Sequence, residues 1–281
     1  MSVERRPFGW TGTPVPIIGQ GTWMMETDPP AEVVKALRTG MDLGMTHLDT
    51  AEMYGNGRVE ELVGLAIRGR RAEVFLVSKV LPRNATRKGT VRACERSLER
   101  LGTDHLDCYL LHWRGNVALA DTFAAFEELV EKGKIHSWGV SNFDAEDLRE
   151  ALAVASPRRI ACNQVLYNLG ARQAERAVLP WCAKHGAAMV GYSPFGHGSF
   201  PEAPHRRAQV LAEVARRHGA TARQVALAFL VRDPHTFAIP KSARSDRVRS
   251  NAGAAALRLS PEDVAAIEQA FPVGQGPIPV L

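Results

Sequence analysis

The stretch TVRACERSLERLGTDHLDCYLLHW, running from Thr90 to Trp113, contains one full copy of the unit that builds this chain. Across Glu95-Arg96-Ser97-Leu98-Glu99-Arg100-Leu101, apolar positions return every three or four residues between charges, the period of an amphipathic helix. Gly102 ends that helix, because glycine takes the left-handed backbone that closes one at little cost. Cys108–Leu111 is then a short unbroken apolar run, the pattern of a strand buried on both faces. The run stops at His112-Trp113. Apolar runs of this kind recur at Ile17-Ile18, His47-Leu48, Val74–Val77, Cys108–Leu111, Ile135–Val140, Ile160–Cys162, Ala187–Val190 and Phe237–Ile239. Stretches of helical period lie between them, at Ala31–Leu43, Val59–Ile67, Thr90–Leu101, Asp121–Glu131, Ala145–Ala153, Ala174–Lys184 and Ala208–His218. Strict alternation of eight strands with helices predicts an α/β protein, a single (β/α)8 TIM barrel spanning residues 1–281 as one domain. An open doubly wound sheet is the rival, but the Gly-x-Gly-x-x-Gly turn expected of it is missing. Gly9-Trp10-Thr11-Gly12-Thr13 reads as a hairpin turn, placing an N-terminal β-hairpin cap at the bottom of the barrel.

Composition narrows the function classes. The 281 residues are 45% apolar and 23% charged, which excludes a disordered chain. The net charge of +5 comes without a basic stripe or a block of like charge, so nucleic acid is not an expected partner. No run of 18 or more apolar residues is present, and a membrane is not expected either. The four cysteines are scattered without metal-ligand spacing, which predicts reduced thiols, no metal site and a cytoplasmic protein. The N-terminus does not read as a signal peptide. Of 35 basic residues only 7 are lysines, so a retained lysine marks a position with a use for one; Lys79 and Lys241 are such places.

In a barrel of this kind, chemistry belongs to the C-terminal ends of the strands. Read in order, those ends are Asp49-Thr50-Ala51-Glu52-Met53-Tyr54-Gly55, Ser78-Lys79, His112-Trp113, Ser141-Asn142-Phe143, Asn163-Gln164, Tyr192-Ser193-Pro194 and Pro240-Lys241-Ser242. Together with Gly19-x-Gly21-Thr22-Trp23, this ordered set resembles the aldo-keto reductase family over nearly the whole chain. The wording around Ala51–Tyr54 and Leu111–Trp113 is most similar to compact bacterial members that reduce methylglyoxal and other small carbonyls.

The resemblance implies NADPH-dependent reduction of aldehydes and ketones, with Asp49, Tyr54, Lys79 and His112 as catalytic residues. Chemistry supports that set. A free tyrosine is a poor acid near neutrality, and a cation beside it draws its pKa down. Lys79 is the cation, Asp49 its counter-ion, and His112 a hydrogen-bond partner for the carbonyl oxygen. The family pattern places Gly21, Thr22, Trp23, Asp49, Ser141, Asn142 and Gln164 around the cofactor. It stacks the nicotinamide on Tyr192, sets Ser193, Phe195 and Gly196 at the pyrophosphate, and Lys241, Ser242, Arg247 and Asn251 around the 2′-phosphate and adenine. Ser141 and Asn142 also fit a cap for the next helix. Ser250 departs from the glutamate common at its position. The substrate wall is expected from Trp23, Met53, Tyr54, Leu81, His112 and Trp113, where barrel-rim packing is an equal reading for the two tryptophans. The Gly- and Pro-rich segment Pro194–Pro204 is a candidate flap. The short tail Pro272–Leu281 suggests an open, permissive pocket.

Two rivals remain at this stage. A Schiff-base aldolase also uses a strand-end lysine, but needs it neutral, and Asp49 opposes that. A cofactor-binding regulatory subunit of the same fold would bind without turnover. The expected partner is a small carbonyl substrate, and the expected form is a monomer, with a weak dimer as the alternative.

Overall fold

The structure, a computed structural model, describes residues 3–155, 158–202 and 204–280. Eight parallel strands stand side by side in chain order: β3 (Gln20–Gly21), β4 (His47–Asp49), β5 (Phe75–Val80), β6 (Leu106–Leu111), β7 (Ile135–Ser141), β8 (Ile160–Leu166), β9 (Ala188–Tyr192) and β10 (Thr236–Ile239). The last strand meets the chain ahead of the first and closes the ring. Gly19 donates its N–H to the Ala238 carbonyl at 2.8 Å, and Ala238 donates to Ile17 at 2.9 Å. The (β/α)8 barrel is thus the fold observed.

The expected first strand is displaced. Ile18 bridges Ala238 of the last strand and Ile17 donates back to Glu4 at 2.9 Å, while Gln20–Gly21 makes the ladder to β4. The seam is tight. A Cβ on Gly21 would lie 2.6 Å from the Ile239 carbonyl oxygen, so only glycine fits.

An outer ring of helices covers the strands: α1 (Pro30–Asp42), α2 (Arg58–Ile67), α3 (Arg87–Leu101), α4 (Leu119–Glu131), α5 (Ala145–Val154), α6 (Val178–His185), α7 (Arg206–Arg217), α8 (Ala222–Leu230), α9 (Ser245–Gly253) and α10 (Pro261–Ala270). α3 begins a few residues before its apolar period does, because the Thr86 side chain caps it by accepting from Gly89 at 3.1 Å. The helix expected over Ala174–Lys184 breaks at Ala177 into a short turn and α6. Pro180 has no N–H to continue a longer helix, but it is at home in the first turn of a new one. Helix α8 escaped the periodicity reading because Val225–Leu230 is buried on every side and so carries no amphipathic pattern.

At the bottom, β1 (Arg5–Pro7) and β2 (Pro14–Pro16) form the antiparallel hairpin, and it inserts Phe8 into the barrel mouth. The Phe8 ring is fully buried against Phe75, Phe237 and His47, with centroids 4.7, 5.3 and 5.9 Å away. This plug closes one end and leaves the strand C-termini as the open one.

Candidate active site

The strand ends converge on a cleft of about 770 Å³. Lys79, on β5, lies fully buried at its base. Its Nζ spends all three protons: on Asp49 Oδ1 at 2.6 Å, on the Thr50 carbonyl at 2.8 Å and on Tyr54 Oη at 3.3 Å. Asp49, at the end of β4, accepts a second hydrogen bond at Oδ2 from Gln164 Nε2 of β8, at 2.7 Å. Tyr54 opens a short helical turn, Tyr54–Gly57, whose Gly55 and Asn56 adopt positive φ, a conformation glycine and asparagine tolerate best. His112 follows β6 directly. Its ring stands edge-on to Tyr54 with centroids 5.8 Å apart, and 4.8 Å from Trp113.

The electrostatics follow from burial. Desolvation alone favours neutral forms of both Lys79 and Asp49. The 2.6 Å contact, with Gln164 donating to the other carboxylate oxygen, makes the charged pair the form we assign. Burial works against the Lys79 charge, but Asp49 and Tyr54 outweigh it and hold its pKa above the ordinary lysine value. The Tyr54 hydroxyl corrects one expectation. Burial raises its pKa, and Asp49 adds to that, so Lys79 does not bring it below the ordinary value in the free protein. His112 is pushed well below the usual histidine range by burial first and by Lys79 second, so its imidazole is neutral at pH 7. His112 Nδ1 is buried with no partner among the described residues.

Other expected site residues gather on the same rim. Ser141 donates to the Gln164 carbonyl at 2.9 Å. Asn142, at positive φ, donates to the His112 carbonyl at 3.0 Å and accepts from the Tyr192 hydroxyl at 2.9 Å. Trp23, Met53, Trp113, Ser193, Phe195, Lys241, Ser242, Arg247 and Asn251 line the cleft, and Thr22 and Gly21 form its floor beside Asp49. Three expected residues lie off the lining. Lys79 sits behind Asp49 and Tyr54. Leu81 is buried in the interior, its N–H donating to Glu52 at 2.8 Å. Gly196 stays within the turn of the flap. Ala203 of that flap lies outside the described residues.

Two cleft residues were not singled out in the sequence as site residues and matter most. His197 stacks on Trp23 with centroids 4.8 Å apart, so the flap after β9 reaches the loop after β3 across the cleft. Arg223, on α8, also lines it. His197 lies in the Gly- and Pro-rich segment expected as a flap, but nothing local named its distant partner. Lys241 is engaged as well, by Asp28 at 2.7 Å.

Residues 17–271 match the model of the Aldo/keto reductase family. The chain belongs to that family. This oxidoreductase is 43% identical to methylglyoxal reductase YeaE of Escherichia coli K12 over 264 residues, 93% of each chain. It is 32% identical to the glyoxal reductase of Bacillus subtilis over 260 residues, 92% of this chain and 89% of that one. Among solved structures, an aldo-keto reductase from Klebsiella pneumoniae in complex with NADPH superimposes with a TM-score of 0.94 at 42% identity over the full length of both chains. No helix among the described residues is long and apolar enough to cross a membrane.

Proposed function

We propose that this reductase converts small carbonyls, such as methylglyoxal and aromatic aldehydes, to alcohols with NADPH, and that Tyr54 is the proton donor. One observation carries the reading: a buried lysine donates at once to Asp49 and to the Tyr54 hydroxyl at the base of the cleft. The cleft suits the cofactor. Tyr192 offers a flat aromatic face with amide and hydroxyl groups around it, and Lys241, Ser242 and Arg247 line the same cleft. When bound, NADPH supplies a hydride to the carbonyl carbon. The protein's part is the proton. Tyr54 Oη gives its proton to the carbonyl oxygen as charge builds there, Lys79 steadies the resulting tyrosinate, and Asp49 holds Lys79 in place. Neutral His112 donates a hydrogen bond to the same oxygen. Solvent then returns the proton to Tyr54.

Because Tyr54 is held above the ordinary tyrosine pKa, it stays protonated through neutral pH and is a loaded donor. Reduction is therefore expected to be flat across neutral pH. Tyr54→Phe should lower kcat for methylglyoxal reduction by about 10²–10⁴-fold while leaving NADPH binding nearly intact. Full turnover in that variant would remove Tyr54 from the role. Tight NADPH binding without turnover in the unaltered protein would favour a regulatory subunit instead.

A further inference from the structure

The end of the cleft that carries Arg247 holds a further cation. Arg223 stands in the first turn of α8, and its guanidinium carbon lies 4.4 Å from the Phe200 ring centroid and 5.0 Å from that of Phe195. The two rings meet edge to face, 5.8 Å apart. Both belong to the flap after β9, so Arg223 ties the base of the flap to α8. A guanidinium stacked by its face keeps its N–H edges free for an anion, which an ammonium on the same rings would not do so well.

The surrounding charges are unbalanced. Lys241 is paired with Asp28 at 2.7 Å, and Arg244 with Asp246 at 2.7 Å. Among the described residues, no carboxylate lies within ion-pair distance of Arg223 or Arg247. Burial against the rings first, and Arg247 second, disfavour the charge on Arg223, with Glu202 acting the other way. A link between the helices sets the spacing of the two arginines: Gln224 Nε2 of α8 donates to the Ser250 carbonyl of α9 at 3.0 Å. Two guanidiniums without an ion-pair partner among the described residues thus line one cleft from two joined helices.

We propose that Arg223 and Arg247 form a two-armed grip on the 2′-phosphate of the cofactor, and that Arg223 links this grip to the flap through Phe195 and Phe200. The dianion would relieve the repulsion between the two arginines, and it would hold Arg223 where the flap rings need it. This inference rests on the reading of NADPH as cofactor with Arg247 at its phosphate.

The test is binding in the absence of carbonyl substrate, by calorimetry with NADP⁺ and with NAD⁺. Arg223→Met keeps an unbranched apolar chain beside the two rings and removes the guanidinium with its charge and N–H donors. We expect its Kd for NADP⁺ to rise by roughly tenfold or more, as for loss of a charge-assisted hydrogen bond, with NAD⁺ changed less than about twofold. In the unaltered protein NADP⁺ should slow chymotryptic cleavage after Phe195, which precedes Gly196, more than NAD⁺ does, and Arg223→Met should erase that difference. Equal losses for both cofactors, or no loss, would overturn the proposal. Arg247→Met is measured alongside. If it loses the NADP⁺ preference and Arg223→Met does not, the grip fails alone. If neither variant loses it, the placement of the phosphate at this corner fails too.

Discussion

At the scale of the residue, position in the barrel overrides intrinsic chemistry. His47 is fully buried, with both ring nitrogens unpartnered among the described residues and its edges against Phe8 and Phe75. Burial, and secondarily Lys79, lower its pKa from 6.5 to about 3. The folded protein therefore refuses a proton that the unfolded chain accepts below pH 6.5. The stability this contributes is present in full above that value and is lost as pH falls toward 3. The slope from this one residue is up to about 1.4 kcal/mol per pH unit. His112 shifts in the same direction. Urea denaturation between pH 7 and 4 should show stability falling more steeply in the unaltered protein than in His47→Phe. Parallel slopes would mean that His47 is not the group responsible. Tyr54 shows the same precedence. A tyrosine beside a lysine reads as an acidified tyrosine, yet removal from water outweighs the neighbouring charge.

At the scale of the element, most helices and strands were legible because each carries its period within a few turns. The exceptions have physical causes. Pro180 splits a helix that apolar spacing alone would join. The all-round burial of Val225–Leu230 erases the pattern by which α8 would be found. Gln20–Gly21 forms the first barrel strand in place of Ile17-Ile18, because the short segment from Ile18 to Gly21 bridges the last strand at one end and ladders to β4 at the other. The residues leading into α9 and within it were singled out in the sequence as cofactor residues, and their roles can be tested as a unit. Lys241 precedes the helix and Arg247 lies within its first turns, both on the cleft. Lys241→Ala with Arg247→Ala should raise KM for NADPH by at least about tenfold more than KM for NADH, since each removes a charge-assisted bond of about 1.5–3 kcal/mol. Equal increases would place the phosphate elsewhere.

At the scale of the whole molecule, the barrel separates stability from chemistry by end. The hairpin plugs the bottom with Phe8, while Asp49, Tyr54, Lys79 and His112 gather at the cleft by the strand C-termini. Phe8→Ala should cost about 3–5 kcal/mol in urea denaturation and leave kcat for carbonyl reduction nearly unchanged in the folded protein. A matching loss of kcat would show that the two ends are coupled. The order of strand-end residues, from Asp49 through Lys241, was set by sequence alone, because a repeating unit writes its strand ends at regular intervals along the chain. Sequence likewise determined the barrel and its hairpin. Tertiary structure alone decided that Lys79 divides its protons among Asp49, Thr50 and Tyr54, that Leu81 turns away from the cleft, that His197 reaches Trp23, and that Arg223 meets the flap. Those contacts join residues far apart in the chain. Local periods encode which face of an element is buried, but not what lies opposite once the ring has closed.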